Sequence, residues 1–204
     1  MKIVIATHNP AKFKRYKRLL KDLLGIEFIS LENLGIIDRI SEPFDNAKEN
    51  AIFKAKEYAK LTGYSTLAVD EQMKTNFLPR EKQPGVFVRR IKKNSQEATD
   101  EEVLKYWEKI FYKYPQENKK FIWDFYIVLY NPATNKSYYW KVIQIATAAK
   151  KFSNILEPGY PMSSFLIHSQ TNKPYSELSE DEKLNVDKKI FHKFVRDFKN
   201  LISI

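Results

Sequence analysis

Lys2-Ile3-Val4-Ile5-Ala6-Thr7-His8-Asn9-Pro10-Ala11-Lys12 holds the reading on which the fold turns. The β-branched run from Lys2 to Thr7, closed off by polar residues, predicts a buried strand. Asn9-Pro10 then predicts a helix start. Asparagine caps a helix N-terminus well, and proline fits the first helical position because no N–H is required there. Phe13, Tyr16, Leu19, Leu20, Leu23 and Leu24 recur at helical spacing, and Gly25 is expected to end the helix. Glu27 to Ser30 reads as a second strand. Strand, helix and strand at this spacing predict a βαβ-like unit.

Outward from that unit, a helix is expected from Asn46 to Leu61, stopped by Gly63. Ser65 to Val69 reads as a strand ending at Asp70, with a loop over 71–85 closed by Pro84-Gly85. Thr99-x-x-Glu102 is a capping box. It opens a helix whose core face is Val103, Leu104, Trp107, Ile110, Phe111 and Tyr114. Phe121 to Tyr130 and Ser137 to Thr147 are two long strands, joined through the turn residues Asn131-Pro132-Ala133-Thr134-Asn135 as a hairpin. A shorter strand is expected near Ser164 to His168. Ser179-x-x-Glu182 is a second capping box, and the last helix carries Ile190, Phe191, Phe194, Val195, Phe198 and Leu201 on one face. The mixture is α/β with a long-stranded mixed sheet. With no repeat, low-complexity tract or linker, residues 1–204 read as a single domain.

At 204 residues and 43% hydrophobic content the chain can bury a real core. It has no cysteine, which excludes disulfides, thiolate metal sites and a cysteine nucleophile. The net charge of +10 favours polyanionic partners: nucleotides, nucleic acid or an anionic membrane face. It is equally the charge of a plain solvated lysine surface. The pairs Lys92-Lys93, Lys119-Lys120, Lys150-Lys151 and Lys188-Lys189 are scattered rather than striped, so a nucleic-acid partner is not expected. The apolar run after Met1-Lys2 is too short for a signal segment, and no run reaches the length of a membrane span. A cytoplasmic protein without a membrane partner is expected. His8, His168 and His192 lack metal-ligand spacing.

Two places offer chemistry. The turn at Thr7, Asn9 and Lys12 opens a helix, whose free N–H groups and dipole suit an anion. It lacks the glycines of a Walker or dinucleotide loop, and it reads equally as an N-cap beside a surface lysine. The second place is a pair of acids, Glu49 early in a helix and Asp70 at a strand end. Carboxylates from two elements, completed by waters and phosphates, suit Mg²⁺, and Asp70 could alternatively polarise a water. The same two residues read as a favourable first-turn acid and a loop-initiating residue.

The joint order of motifs goes further. Thr7-x-Asn9-x-x-Lys12 is followed by Glu49-Asn50-Ala51-Ile52-Phe53-Lys54-Ala55 and by Leu67-Ala68-Val69-Asp70. Pro84-Gly85-Val86-Phe87 with Arg90 comes next, and then Glu177-Leu178-Ser179-Glu180-Asp181-Glu182-Lys183. In order and spacing the chain resembles the inosine triphosphate pyrophosphatase family, which clears non-standard purine nucleotides. The resemblance runs from Met1 to the final helix. It implies an α/β fold with an elongated mixed β-sheet and flanking helices, and two lobes around a central nucleotide cleft. It also implies a homodimer, and Mg²⁺-dependent hydrolysis of a nucleoside triphosphate to the monophosphate and pyrophosphate. By the same resemblance Thr7, Asn9, Lys12 and Lys54 are phosphate-binding, and Glu49 and Asp70 are metal-binding. Asp70 also activates the water, while Tyr160 and Lys183 lie near base and sugar.

The chain departs from the family pattern at specific places. The family's Asp-Asp-Ser-Gly reads Val69-Asp70-Glu71-Gln72. Its Gly-Phe-Gly-Tyr-Asp-Pro reads Glu157-Pro158-Gly159-Tyr160-Pro161-Met162, and its Ser-His-Arg reads Asp187-Lys188-Lys189. Lys188 and Lys189 therefore stand where the family reads the purine edge. Lysine lacks the planar fork of arginine, so an altered base preference is expected. A catalytically impaired relative that binds a nucleotide or a protein is the alternative.

Overall fold

Ile3, Val4 and Ile5 are each at most 1% exposed, because the first strand is covered on both faces. That is why its sequence is a continuous apolar run rather than an alternation. A computed structural model describes residues 1–89, 91 and 97–202; Arg90 and the Lys92-Lys93 pair lie outside them. The strand, β1 (Lys2–Ala6), pairs in parallel with β2 (Glu27–Ser30) and with β3 (Ser65–Thr75), Val4 standing opposite Ile29 and Thr66. The expected βαβ unit is present. The remaining strands are β4 (Lys120–Asn131), β5 (Lys136–Ala148) and β6 (Leu166–His168). They complete a mixed six-stranded sheet in the order β2-β1-β3-β4-β5-β6, with β6 antiparallel to β5.

The chain divides into two units. The first holds Met1–Glu71, Asp124–Val142 and the chain from Asp187; the second holds Gln72–Trp123 and Ile143–Val186. In the first unit, α1 (Pro10–Leu19) starts where Asn9 Oδ1 accepts the N–H groups of Ala11 and Lys12. The helix stops at Leu19, before the expected Gly25, and Leu24 is 97% exposed. Beyond buried Leu20, Leu23 is only half-buried and Leu24 stands in solvent, so little apolar burial supports further turns. α2 (Ala47–Thr62) is capped by Asn46 and closed by Gly63 at φ +72°, as its sequence predicts. Ala47, Ala51, Ala55 and Ala59 form a fully buried stripe, so this helix approaches the sheet closely. Val4, Ala6, Tyr58, Ala68 and Val128 complete that core. A larger side chain in the alanine stripe would overpack it, at about 1–3 kcal/mol.

The C-terminal part contains two helices, α4 (Glu180–Ile190) and α5 (His192–Ile202), with a break at buried Phe191. α5 lays Phe194 and Phe198 against Trp140, with ring centroids 5.2 and 5.9 Å apart.

The second unit is built on α3 (Asp100–Lys113), which starts at the Thr99/Glu102 capping box read from the sequence. Trp107 packs on Phe121 at 5.2 Å, and Met73, Phe165 and Met162 share the cluster. β3 runs to Thr75, five residues past Asp70 and into the expected loop. Met73 is fully buried and exchanges two backbone hydrogen bonds with Gly85, at 2.8 and 3.0 Å. That pairing partner is remote in sequence. Among the described residues no helix is long and apolar enough to cross a membrane.

Candidate active site

All the groups described next, except where stated, belong to the first unit. The turn after β1 is built by short-range hydrogen bonds. Asn9 Oδ1 accepts from Ala11 N–H at 2.9 Å and Lys12 N–H at 3.2 Å, and Asn9 N–H donates to Thr7 Oγ1 at 3.1 Å. The asparagine thus caps α1 and holds Thr7 beside the helix start. The neighbouring His8 ties the turn down through Nε2, 3.0 Å from Tyr58 Oη and 3.1 Å from Asp38 O. The first turn of α1 carries no acid, so nothing on the helix itself offsets its positive end.

On α2, Asn50 is 1% exposed and clamps the preceding segment. Its Nδ2 donates to Phe44 O at 2.8 Å, and its Oδ1 accepts from Phe44 N–H at 3.0 Å. The segment so held carries Glu42. One turn on from Asn50, the Lys54 ammonium donates to Glu42 Oε1 at 2.7 Å, Val69 O at 3.0 Å and Asp70 Oδ1 at 3.2 Å. Each of its three hydrogens therefore has an acceptor. Lys12 Nζ lies 2.6 Å from Glu71 Oε1, both side chains mostly buried. Two lysines thus stand among three carboxylates: Glu42, Asp70 and Glu71.

The electrostatics follow from that crowding. Burial pushes the Asp70 carboxyl above its ordinary value; Glu42 and Glu71 push the same way, and Lys54 and Lys12 oppose them. For Lys12, burial pulls the ammonium down, but the carboxylates of Glu71 and Asp70 outweigh it, and the net direction is up. Asp70 Oδ2 and Glu71 Oε2 are buried and have no hydrogen-bond partner among the described residues. A buried carboxylate oxygen left bare is costly and asks for a donor or a cation. A bare oxygen of this kind is a donor that suits Mg²⁺, a hard cation usually held by one or two carboxylates, waters and substrate phosphates. Among the described residues no three acids or histidines converge as a dedicated metal cage. Glu49 is exposed in the first turn of α2; its N–H is capped by Asn46, and its carboxylate pairs with no described residue.

The residues expected near base and sugar are divided between the two units. In the second unit, Lys183 is 7% exposed, with Nζ 3.4 Å from Glu157 Oε1, 3.7 Å from Glu180 Oε1 and over the Tyr175 ring. Tyr160 opens the 3₁₀ turn Pro161–Ser164, after Gly159 at φ +84°, whose N–H donates to Asp100 Oδ2 at 2.7 Å. In the first unit, Lys188 and Lys189 are exposed, and Lys188 pairs with Asp22 at 3.3 Å. Asp187, just before them, is fully buried. Arg15 donates to its Oδ1 from Nε and Nη2 at 3.0 and 2.7 Å, and Arg18 to its Oδ2 at 2.8 Å.

Sequence reasoning missed Glu42, Asn50 as a clamp, and the Arg15–Asp187–Arg18 triad. Glu42 lies in a segment without periodicity. Arg15 sits on a helix face that reads as polar, yet its guanidinium lies over Phe191 and Phe125, at 4.7 and 5.4 Å from the ring centroids.

The model of the Ham1 family matches residues 3–192. This chain belongs to the Ham1 family. The resemblance read from the sequence motifs points to the same group. A dITP/XTP pyrophosphatase of Polaromonas naphthalenivorans is 44% identical over 70 residues, 34% of each chain. One of Thermoanaerobacter sp. is 34% identical over 120 residues, 59% of this chain and 58% of that one. The matched stretches thus span about a third to three-fifths of those relatives. A HAM1 protein from Coxiella burnetii has the same fold, with a TM-score of 0.73 over 100% of this chain and 98% of its own, at 24% identity.

Proposed function

We propose that this Ham1-family chain is a nucleoside triphosphate pyrophosphatase, cleaving the α–β phosphoanhydride to give a monophosphate and pyrophosphate. The observation that carries the reading is Asp70: a buried carboxylate with one bare oxygen, set between two lysines next to a capped helix start. Relatives named dITP/XTP pyrophosphatases support it. The N-terminus of α1 and Lys12 bind phosphate oxygens, with Thr7 supplying a hydroxyl and Asn9 shaping the turn. Asp70 takes a proton from the attacking water; burial raises its affinity for that proton above that of an ordinary carboxylate, which favours a base. Lys54 orients Asp70 through Oδ1 and opposes the upward push that burial gives its carboxyl, leaving Oδ2 to act. Asp70, with Glu49 as the further acid expected from the resemblance, would hold Mg²⁺, which would supply neutralisation of the charge developing on the phosphates. The water oxygen bonds to the α-phosphorus, the bridging bond to the β-phosphate breaks, and pyrophosphate leaves with its electron pair.

Base choice belongs to the same proposal. Tyr160 and Lys183 serve base and sugar. Lys188 and Lys189 replace a purine-reading pair without offering a planar fork, so discrimination among bases is weak. A homodimer in the cytoplasm completes the reading.

A second reading has a specific observation behind it. Both lysines of the site are already paired with carboxylates, as suits a relative that binds nucleotide or protein without turning it over. A panel of nucleoside triphosphates with Mg²⁺, read by pyrophosphate release, separates the two. Release from any nucleotide supports the enzyme. Silence across the panel with a rise in Tm on nucleotide addition supports the binding module.

A further inference from the structure

The Lys12–Glu71 pair raises a question that the hydrolytic reading leaves open. Lys12 is the cation placed to meet a phosphate, yet a carboxylate already sits 2.6 Å from its ammonium. The other lysine offers no relief, since all three hydrogens of Lys54 are engaged by Glu42, Val69 and Asp70. A triphosphate arriving without a counterion therefore meets three carboxylates and two neutralised lysines. Like charges in a partly buried site are poorly screened, so entry is opposed. The same cluster also contains what would reverse this. Asp70 is 7% exposed, and its Oδ2, like Glu71 Oε2, is buried without a partner.

We propose that Glu71 is a latch on the phosphate-binding lysine. In the free protein its carboxylate occupies Lys12. A divalent cation taken up by the bare oxygens of Asp70 and Glu71 draws Glu71 away, and Lys12 becomes free for phosphate. Triphosphate then binds with the metal and is refused without it. The family motif that this chain resembles carries serine where Glu71 stands, and a serine cannot hold the lysine as an ion pair. The inference rests on the pyrophosphatase reading for the identity of the ligand.

The test is equilibrium binding, with no turnover involved. The probe is the non-hydrolysable α,β-imido analogue of inosine triphosphate, titrated in chelator and again with excess Mg²⁺. Wild type is expected to bind at least about 100-fold more tightly with Mg²⁺. Glu71→Gln keeps the size and removes the charge. It is expected to tighten chelator-phase binding about tenfold, which is about 1.4 kcal/mol, and to shrink the Mg²⁺ effect. Glu71→Ser is expected to do the same, so that misfolding of one variant leaves the other to decide. Adding Lys12→Ala to either variant should erase the gain, because the gain runs through that lysine. Chelator-phase binding by both folded Glu71 variants no tighter than wild type overturns the latch while leaving the pyrophosphatase reading intact. No binding of the analogue by wild type with Mg²⁺, together with no pyrophosphate from any triphosphate, overturns that reading and the latch with it.

Discussion

Arg15 and Asp187 lie 172 positions apart and meet in a buried ion pair, the guanidinium donating twice to Oδ1 while Arg18 takes Oδ2. Asp187 is 0% exposed, and both of its oxygens accept from these two arginines. It joins α1 to the start of the C-terminal helical stretch within the first unit. Removing it takes a shared, fully buried counter-charge away from two arginines whose side chains are themselves mostly buried. Asp187→Ala, and equally Asp187→Ser, is expected to destabilise by about 3–5 kcal/mol. Urea unfolding should show this as a lower midpoint at unchanged slope. Lys188→Ala is the contrast: its pair with Asp22 is exposed, and the loss expected is below about 1 kcal/mol.

Asp70→Asn separates function from stability. Pyrophosphate release should be abolished. Stability measured in chelator at pH 7 should stay level or rise, for a reason of sign. The folded-state affinity of Asp70 for a proton is raised, chiefly by burial. Between its unfolded and folded values the native state binds the extra proton, so stability falls as pH rises through that window. The amide carries no such penalty and still offers Lys54 an acceptor. A Tm several degrees below wild type at pH 7 would count against this account of the cluster.

Lys12→Ala tests the phosphate turn. With Mg²⁺ present, triphosphate affinity should fall about 10- to 100-fold, the worth of a charge-assisted hydrogen bond of about 1.5–3 kcal/mol. Affinity for the bare nucleoside should hardly change. Equal losses for both ligands would mean that Lys12 acts through the fold.

Base choice is expected to be loose. The measurement is kcat/KM for inosine triphosphate against adenosine and guanosine triphosphates. Ratios well under 100-fold are expected, because a site rejects a base strongly only where its own polar atoms would be left unpaired. A ratio of 100-fold or more, about 2.7 kcal/mol in the transition state, would mean that other side chains rebuild an edge-reading pocket.

What the sequence determined alone was whatever depends on near neighbours. Asn9, Asn46, Thr99 and Gly63 set helix ends through hydrogen bonds and backbone preferences reaching a few residues. The turn around Asn131–Asn135 set the hairpin in the same way, and the buried run of β1 announced a strand covered on both faces. The order of the motifs placed the chain in its family. Tertiary structure decided where an element meets, or fails to meet, a distant partner. β3 continues to Thr75 because Gly85 comes back to pair with Met73. α1 ends at Leu19 because the leucines that follow Leu20 find little burial, Leu23 being half-buried and Leu24 exposed. Above all, it decided which acid each cation takes: Glu71 for Lys12, Glu42 with Asp70 for Lys54, and Asp187 for Arg15. A charged side chain carries no record in local sequence of its partner. The choice is made by Coulomb attraction among whichever groups the packed elements bring within a few ångströms, and burial then makes that choice costly to undo.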